Sequence, residues 1–275
     1  MRLTRALSLP LAIAGGVVLL AAARPARPSP ARVLTVTTHD FAFEAPDSAP
    51  AGLTEIHLNN AGPSVHHLSI YRLGAGKTLA DFMGALKPNT PFPEWATALG
   101  GPNAVIPGGS SNATMVLTPA HYVLICFVPD SANRPHFMLG MEKELVVTGA
   151  TKAVLPKADR TVELSDYTFG LPATVRAGQQ TWKFVNKAQQ EHEALLVMLP
   201  PGKTIAEFGS WVDAGMQGPP PGMPMGGISP LAPGGASEVA LDLKPGNYAF
   251  ICFLPDSKDG KPHFAHGMMR AFEVK

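Results

Sequence analysis

Apolar and polar positions alternate over short stretches through most of the chain, and the stretches are bounded by Gly, Pro, Asn and Asp. Val33-Leu34-Thr35-Val36-Thr37, Thr54-Glu55-Ile56-His57-Leu58, His66 to Leu73, Ala113 to Leu117, Tyr122 to Val128 and Glu144 to Thr148 therefore predict β-strands. A second series follows: Thr161 to Leu164, Gln180 to Val185, Ala194 to Leu199, Ser237 to Leu243, Tyr248 to Leu254 and Arg270 to Val274. Regularly spaced strands of this kind predict an all-β, antiparallel sandwich. One short helix interrupts each series, because Thr78-Leu79-Ala80-Asp81 and Thr204-Ile205-Ala206-Glu207 have the form of capping boxes. Pro88 to Ser111 and Gly215 to Ala236 show no periodicity and predict irregular segments. The second carries Met216, Met223 and Met225, thioethers able to bind soft Cu(I), with apolar loop packing as their more ordinary role.

The two series are copies of one another. Tyr122-Val-Leu-Ile-Cys126-Phe-Val-Pro-Asp130 returns 126 residues later as Tyr248-Ala-Phe-Ile-Cys252-Phe-Leu-Pro-Asp256. At the same offset His66 meets His192, Gly76-Lys77-Thr78 meets Gly202-Lys203-Thr204, and Pro107-Gly108-Gly109 meets Pro233-Gly234-Gly235. One extra residue after Cys252 then aligns His136 with His263 and Met141 with Met268. A period this long indicates a duplicated domain, since solenoid repeats run to roughly 20–50 residues. The boundaries are placed at residues 32–148 and 160–275, with a linker at 149–159 and a Pro/Ala/Arg tail at 24–31. Each copy is long enough for its own core.

Met1 to Arg5 is basic and leads into an apolar run from Ala6 to Ala23 that ends in three alanines. Residues 1–23 read as a signal peptide, which places the mature chain in the periplasm or outside the cell with no stable membrane insertion after cleavage. An uncleaved anchor is the alternative reading, weakened by Pro10 and by Gly15-Gly16. Cleavage removes two arginines and no acid, leaving 20 basic against 21 acidic residues. That balance supplies no electrostatic case for nucleic acid or for an anionic membrane.

In an oxidising compartment two cysteines first suggest a disulfide. Cys126 and Cys252 instead fall midway along equivalent apolar strands, which predicts two separately buried thiols. Each shares its copy with two histidines and a methionine. Alternation turns His66, Leu68 and Ile70 inward and His67, Ser69 and Tyr71 outward. In the second copy His192 takes the inward place and Glu193 replaces His67. Two imidazoles, a thiolate and a weak thioether are the donors of a mononuclear blue-copper centre. Zinc accepts the same donors, but its structural sites commonly use paired cysteines, and no CxxC occurs. A nucleophilic cysteine–histidine pair is the remaining alternative, disfavoured by the apolar setting of both thiols.

At these residues the chain resembles the cupredoxins. Asn59-Asn60-Ala61-Gly62-Pro63-Ser64-Val65-His66 is similar to the first copper-histidine segment of plastocyanin, Gly246-Asn247-Tyr248-Ala249-Phe250-Ile251-Cys252 to the cupredoxin Gly-x-Tyr-x-Phe-x-Cys strand, and His263-x4-Met268 to plastocyanin's ligand spacing. The nine residues between Cys126 and His136, and the ten between Cys252 and His263, exceed the plastocyanin and azurin spacing and resemble the type 1 domain of copper nitrite reductases. The resemblance covers both halves. It implies two tandem cupredoxin-like Greek-key β-sandwich domains with one type 1 copper each, held by His66, Cys126, His136 and Met141 and by His192, Cys252, His263 and Met268. His266 lies close enough to His263 to be a rival ligand; His39, His57 and His121 fit surface or turn roles.

Three functions follow as expectations. The first is a one-electron carrier with a transient redox protein partner, for which the resemblance implies ports at His136 and His263 near Phe137, Met138 and Phe264. The second is copper binding or delivery without electron transfer, and the third a metal-free interaction module. An enzyme is not expected, because nitrite reductases and multicopper oxidases place a histidine immediately before the cysteine and this chain has Ile125 and Ile251 there.

Overall fold

The structure, a computed structural model, describes residues 30–87 and 92–275. The expected signal peptide and most of the 24–31 tail lie outside the described residues. Among the described residues no helix is long and apolar enough to cross a membrane.

The strands of the first half are β1 (Arg32–His39), β2 (Ala42–Glu44), β3 (Ser48–Pro50), β4 (Gly52–Asn60), β5 (Ser69–Leu73), β6 (Ala96–Ala98), β7 (Ser110–Leu117), β8 (Ala120–Ile125) and β9 (Glu142–Thr148), with helix α1 (Leu79–Ala85) after β5. The second half has β10 (Arg160–Ser165), β11 (Thr168–Gly170), β12 (Thr174–Val175), β13 (Gly178–Asn186), β14 (His192–Leu199), helix α2 (Ile205–Asp213), β15 (Met223–Leu231), β16 (Ala236–Leu243), β17 (Gly246–Ile251) and β18 (Met269–Val274). The fold is thus mostly β. Both helices start where the capping boxes place them, with the Thr78 and Thr204 hydroxyls accepting from the amides of Asp81 and Glu207 and both carboxylates answering the cap amide.

One eight-stranded sheet runs β11-β10-β13-β16-β7-β4-β1-β2 through both halves, and two five-stranded sheets, β3-β9-β8-β5-β6 and β12-β18-β17-β14-β15, pack against it. Period-two alternation sends Leu34, Val36, Ile56, Leu58, Ala113 and Met115 of the shared sheet inward against Tyr122, Leu124, Leu145 and Val147. Trp182, Phe184 and Val239 meet Tyr248, Phe250 and Phe272 in the second half. Equivalent strands hold equivalent places, so the order reads the same from either edge, and its centre is the antiparallel pairing of β7 with β16.

A second seam lies beside it. Residues 99–105 pair antiparallel with β15 through bridges Leu99 to Leu231, Pro102 to Ile228 and Val105 to Met225. Pro102 and Ile228 stand at the repeat offset of 126, so a local two-fold axis passes between them. Two glycines make the approach possible. Gly101 has φ +132° and Gly227 φ +98°, and a Cβ on either would come to 2.1 Å from a carbonyl oxygen, that of Leu68 or of Ala194.

Three sequence expectations need correction here. His67 does not face outward: it is buried with Ser69 and Tyr71, because the second half, α1 and the segment around Phe92 cover the face that alternation assigned to solvent. The cysteines are not midway along strands, since β8 and β17 end at Ile125 and Ile251 and the cysteine amides turn aside to the carbonyls of Met141 and Met268. Finally, Met223 to Leu231 is a buried strand despite Pro224, Pro230 and three interior or adjoining glycines, held by β14 on one side and the seam on the other.

Candidate metal centre

An asparagine turn aims the first histidine of each half. Asn60 donates through Nδ2 to the carbonyls of Ser64 (2.8 Å) and Val105 (3.0 Å), and its Oδ1 accepts from the Gly62 amide (3.0 Å). Asn186 repeats this with Gln190 (2.8 Å), Leu231 (2.7 Å) and Ala188 (2.9 Å). Both side chains are buried, and all of these bonds except those to Ser64 and Gln190 are made away from water. The chain that each turn delivers ends on His66 or His192, fully buried in each case.

The cysteine loop supplies the other groups and is closed by backbone bonds that repeat from half to half. His136 donates its amide to Val128, Phe137 to Cys126, and Met141 to His136; His263, Phe264 and Met268 do the same with Leu254, Cys252 and His263. A 3-10 turn over His136–Leu139 or His263–His266 then leads to the methionine. The longer loop therefore leaves the cysteine-to-methionine frame intact.

His66, Cys126 and His136 converge, as do His192, Cys252 and His263, with the donor atoms of each group within 4.8 Å of one another. In the first group the Nδ1 atoms are 3.1 Å apart and Cys126 Sγ is 3.6 Å from His136 Nδ1. In the second the values are 3.0 and 3.3 Å. Met141 and Met268 are fully buried and bonded through their backbones to Cys126 and His136 and to Cys252 and His263, and both cysteines are free thiols.

The tautomers are fixed from outside. His66 Nε2–H donates to Asp40 Oδ1 (2.6 Å) and His192 Nε2–H to Asp166 Oδ1 (2.8 Å), which leaves each Nδ1 as a lone pair facing inward. Partial burial works against ionisation of Asp40, but hydrogen bonds from Ser64 and His66 hold its carboxyl below its ordinary value. Burial lowers the pKa of all four imidazoles, His136 and His263 to about 4 with His66 and His192 adding to the effect, so they are neutral donors at pH 7. Burial also pushes the Cys126 thiol up to about 12 and raises Cys252 well above its ordinary value. Against that, the amides of His67 and Val128 donate to Cys126, and those of Glu193 and Leu254 to Cys252, an arrangement that favours a thiolate once a cation is present.

A set of two imidazole nitrogens and one thiolate, with a buried methionine on the same loop, fits copper and is the donor chemistry of a type 1 centre. One buried atom adds to the fit. His263 Nε2 has no hydrogen-bond partner, and Asp256 Oδ2, 4.0 Å away, faces it as a proton-bearing Nε2 requires when Nδ1 binds a cation. Each half thus holds the donor set of one type 1 copper.

The surroundings of the second histidine differ between halves. Phe41 packs on His136 at 4.8 Å. Its counterpart Tyr167 lies 5.6 Å from His263, donates its hydroxyl to Asp256 Oδ2 (2.5 Å) and packs at 4.8 Å against His266. His266 bonds Asp259 (3.2 Å) outside the His192–Cys252–His263 group, so the structure does not place it as the rival ligand. His39, His57 and His121 sit at the surface beside Glu44, Glu55 and Glu144. Sequence reasoning missed Asp40 and Asp166, although both stand at the repeat offset of 126 and that coincidence was the available signal.

No protein-family model matches the chain, and no curated protein sequence does. Among solved structures it is similar to a dithionite-reduced auracyanin from Roseiflexus castenholzii (16% identity over 44% of this chain and all of that one, TM-score 0.32). It is also similar to the copper-containing nitrite reductase of Thermus scotoductus (14% identity, 90% of this chain and 62% of that one, TM-score 0.27) and to the blue copper oxidase of Nitrosomonas europaea (15% identity, 89% and 86%, TM-score 0.27). The copper assignment rests on the donor sets themselves. The expectation that the chain is not an enzyme is corrected by these matches, because two of the three are enzymes aligned over most of this chain. Ile125 and Ile251 remove a His-Cys link to a further copper, which is a narrower statement than the absence of catalysis.

Proposed function

We propose that the chain is an exported protein of two tandem cupredoxin-like Greek-key β-sandwich domains, residues 32–148 and 160–275, that binds two type 1 coppers and passes single electrons. His66, Cys126, His136 and Met141 hold one ion, and His192, Cys252, His263 and Met268 hold the other. When bound, copper supplies the one-electron couple. The chain contributes donors that barely need to move, orients the histidines through Asp40 and Asp166, and excludes water from both thiolates. The observation that carries this reading is the twofold occurrence of a buried His–Cys–His group with the same outer hydrogen bonds. Electrons enter and leave through a transient redox protein partner at the first half, where Met138 is 65% exposed beside His136, while Tyr167, Asp256 and His266 cover His263.

The test is addition of Cu(II) to the mature protein. An intense thiolate-to-copper visible band is expected, diminished in Cys126→Ser and in Cys252→Ser and lost when both are changed. A native protein without that band refutes the copper sites; a band without reversible one-electron reduction refutes the carrier.

A further inference from the structure

Behind the two sites, side chains from both halves form a continuous line of polar contacts. The Phe127 amide, next to Cys126, donates to His67 Nε2 (2.7 Å), so the ring proton is on Nδ1, and the His67 side chain lies against that of Asn103. Asn103 Nδ2 donates to Glu193 Oε2 (3.0 Å), and Glu193 Oε1 accepts from the Phe253 amide (3.0 Å), next to Cys252. His67, Asn103 and Glu193 are 7, 2 and 6% exposed. The two ends are also bonded to the sites on their histidine side, since His67 follows His66 and Glu193 follows His192.

The choice of residues gives the line a direction that simple filling of a seam does not require. His67 and Glu193 are equivalents in the repeat. Asn103 Nδ2 gives its two hydrogens to Glu193 and to the Ile228 carbonyl (2.9 Å), and its Oδ1 accepts from the Ala104 amide (2.7 Å), which leaves one oxygen lone pair for a donor at position 67. A glutamate at position 67 would find no hydrogen left to accept. Asn103 has Ser229 as its counterpart, so one bridge forms rather than two competing ones. A buried carboxyl is costly where an apolar pair would close the seam.

We propose that His67–Asn103–Glu193 is the route by which the two sites exchange an electron, an inference that rests on the copper reading above. One electron leaves the reduced site and arrives at the oxidised one; no bond is made or broken and no proton departs. Along the backbone the cysteines are 126 residues apart, whereas this route crosses from one to the other through three side chains.

The experiment uses the copper-loaded full chain carrying Met268→Gln, which alters the axial position and so separates the two sites' bands and potentials. A pulse of reductant delivering less than one electron per molecule is expected to bleach one band, followed by transfer to the other at a rate independent of protein concentration. Asn103→Leu is expected to lose that phase with both bands retained, and Asn103→Ser does the same if the leucine variant does not fold. Ser229→Ala, which removes another buried hydrogen bond of the same seam, is expected to keep it. The metal-free protein gives a second readout: His67→Gln shifts the amide resonance of Phe253 as well as that of Phe127, and Asn103→Leu abolishes the response at Phe253. An unchanged transfer rate in the Asn103 variants, no concentration-independent phase in the parent, or a Phe253 amide indifferent to His67→Gln each overturns the route while the copper bands stand. Absence of both bands overturns the copper reading and the route with it.

Discussion

Asn186→Leu isolates what the asparagine turn contributes, because leucine keeps the volume and removes every hydrogen bond. The change strips partners from three backbone groups: the Leu231 carbonyl, the Ala188 amide and the Gln190 carbonyl. The first two bonds are buried and the third is partly exposed, so water can replace the third at little cost. Two unsatisfied buried groups at about 1–3 kcal/mol each give a loss of about 2–6 kcal/mol. With a urea slope of about 2 kcal/mol/M the midpoint of the second half falls by about 1–3 M. Fluorescence of Trp182, buried in the core of that half, follows the transition in metal-free protein. Since the same turn aims His192, the visible band of the second site weakens while that of the first, read alone in Cys252→Ser, is untouched. A midpoint shift below about 0.3 M would refute the reasoning. So would equal loss at the two sites.

Asp166→Leu removes the acceptor of His192 Nε2–H, and copper affinity at the second site is expected to fall by about 10–100-fold in competitive chelator titrations, with the first site unaffected. Copper loading at pH 7 is expected to release about one proton per site, because the Cys126 thiol is pushed up to about 12 and all four imidazoles are already neutral; pH-indicator titration reads the number, and a value near zero would show that the thiols are not the donors. Gly227→Ala puts a Cβ 2.1 Å from the Ala194 carbonyl at φ +98° and is expected to cost about 3 kcal/mol or more, seen as a lowered denaturation midpoint or loss of soluble protein. Thr204→Ala removes the cap of α2 and is expected to cost about 1 kcal/mol by the same assay, leaving the copper band alone.

Much of the site was legible because its chemistry is carried by residue type and repeated at one offset. His66, Cys126, His136 and their counterparts could be set in register by comparing the chain with itself, and the capping boxes could be read from four residues each. What failed depended on contacts that no local pattern records. Alternation assigned His67 to solvent because it sees one sheet, whereas α1, the Phe92 segment and the second half of the molecule together cover that face. The Met223–Leu231 strand was hidden by proline and glycine, yet those glycines are what let its backbone reach the facing strand. Cys126 lies one residue past its strand, a boundary drawn by the Met141 carbonyl from the far side of the loop.

The local two-fold axis through Pro102 and Ile228 has a consequence for how the halves can vary. Were the halves separate identical subunits, each residue at the axis would face its own copy, and one substitution would strike both sides of the contact together. Covalent fusion lifts that constraint, because position 67 can hold histidine while its mate holds glutamate, and Phe41 can remain apolar while Tyr167 takes up a hydrogen bond. The seam inherits the geometry of a symmetric dimer and the chemical freedom of an asymmetric one, so two sites with matching donor sets can have different surroundings within one molecule.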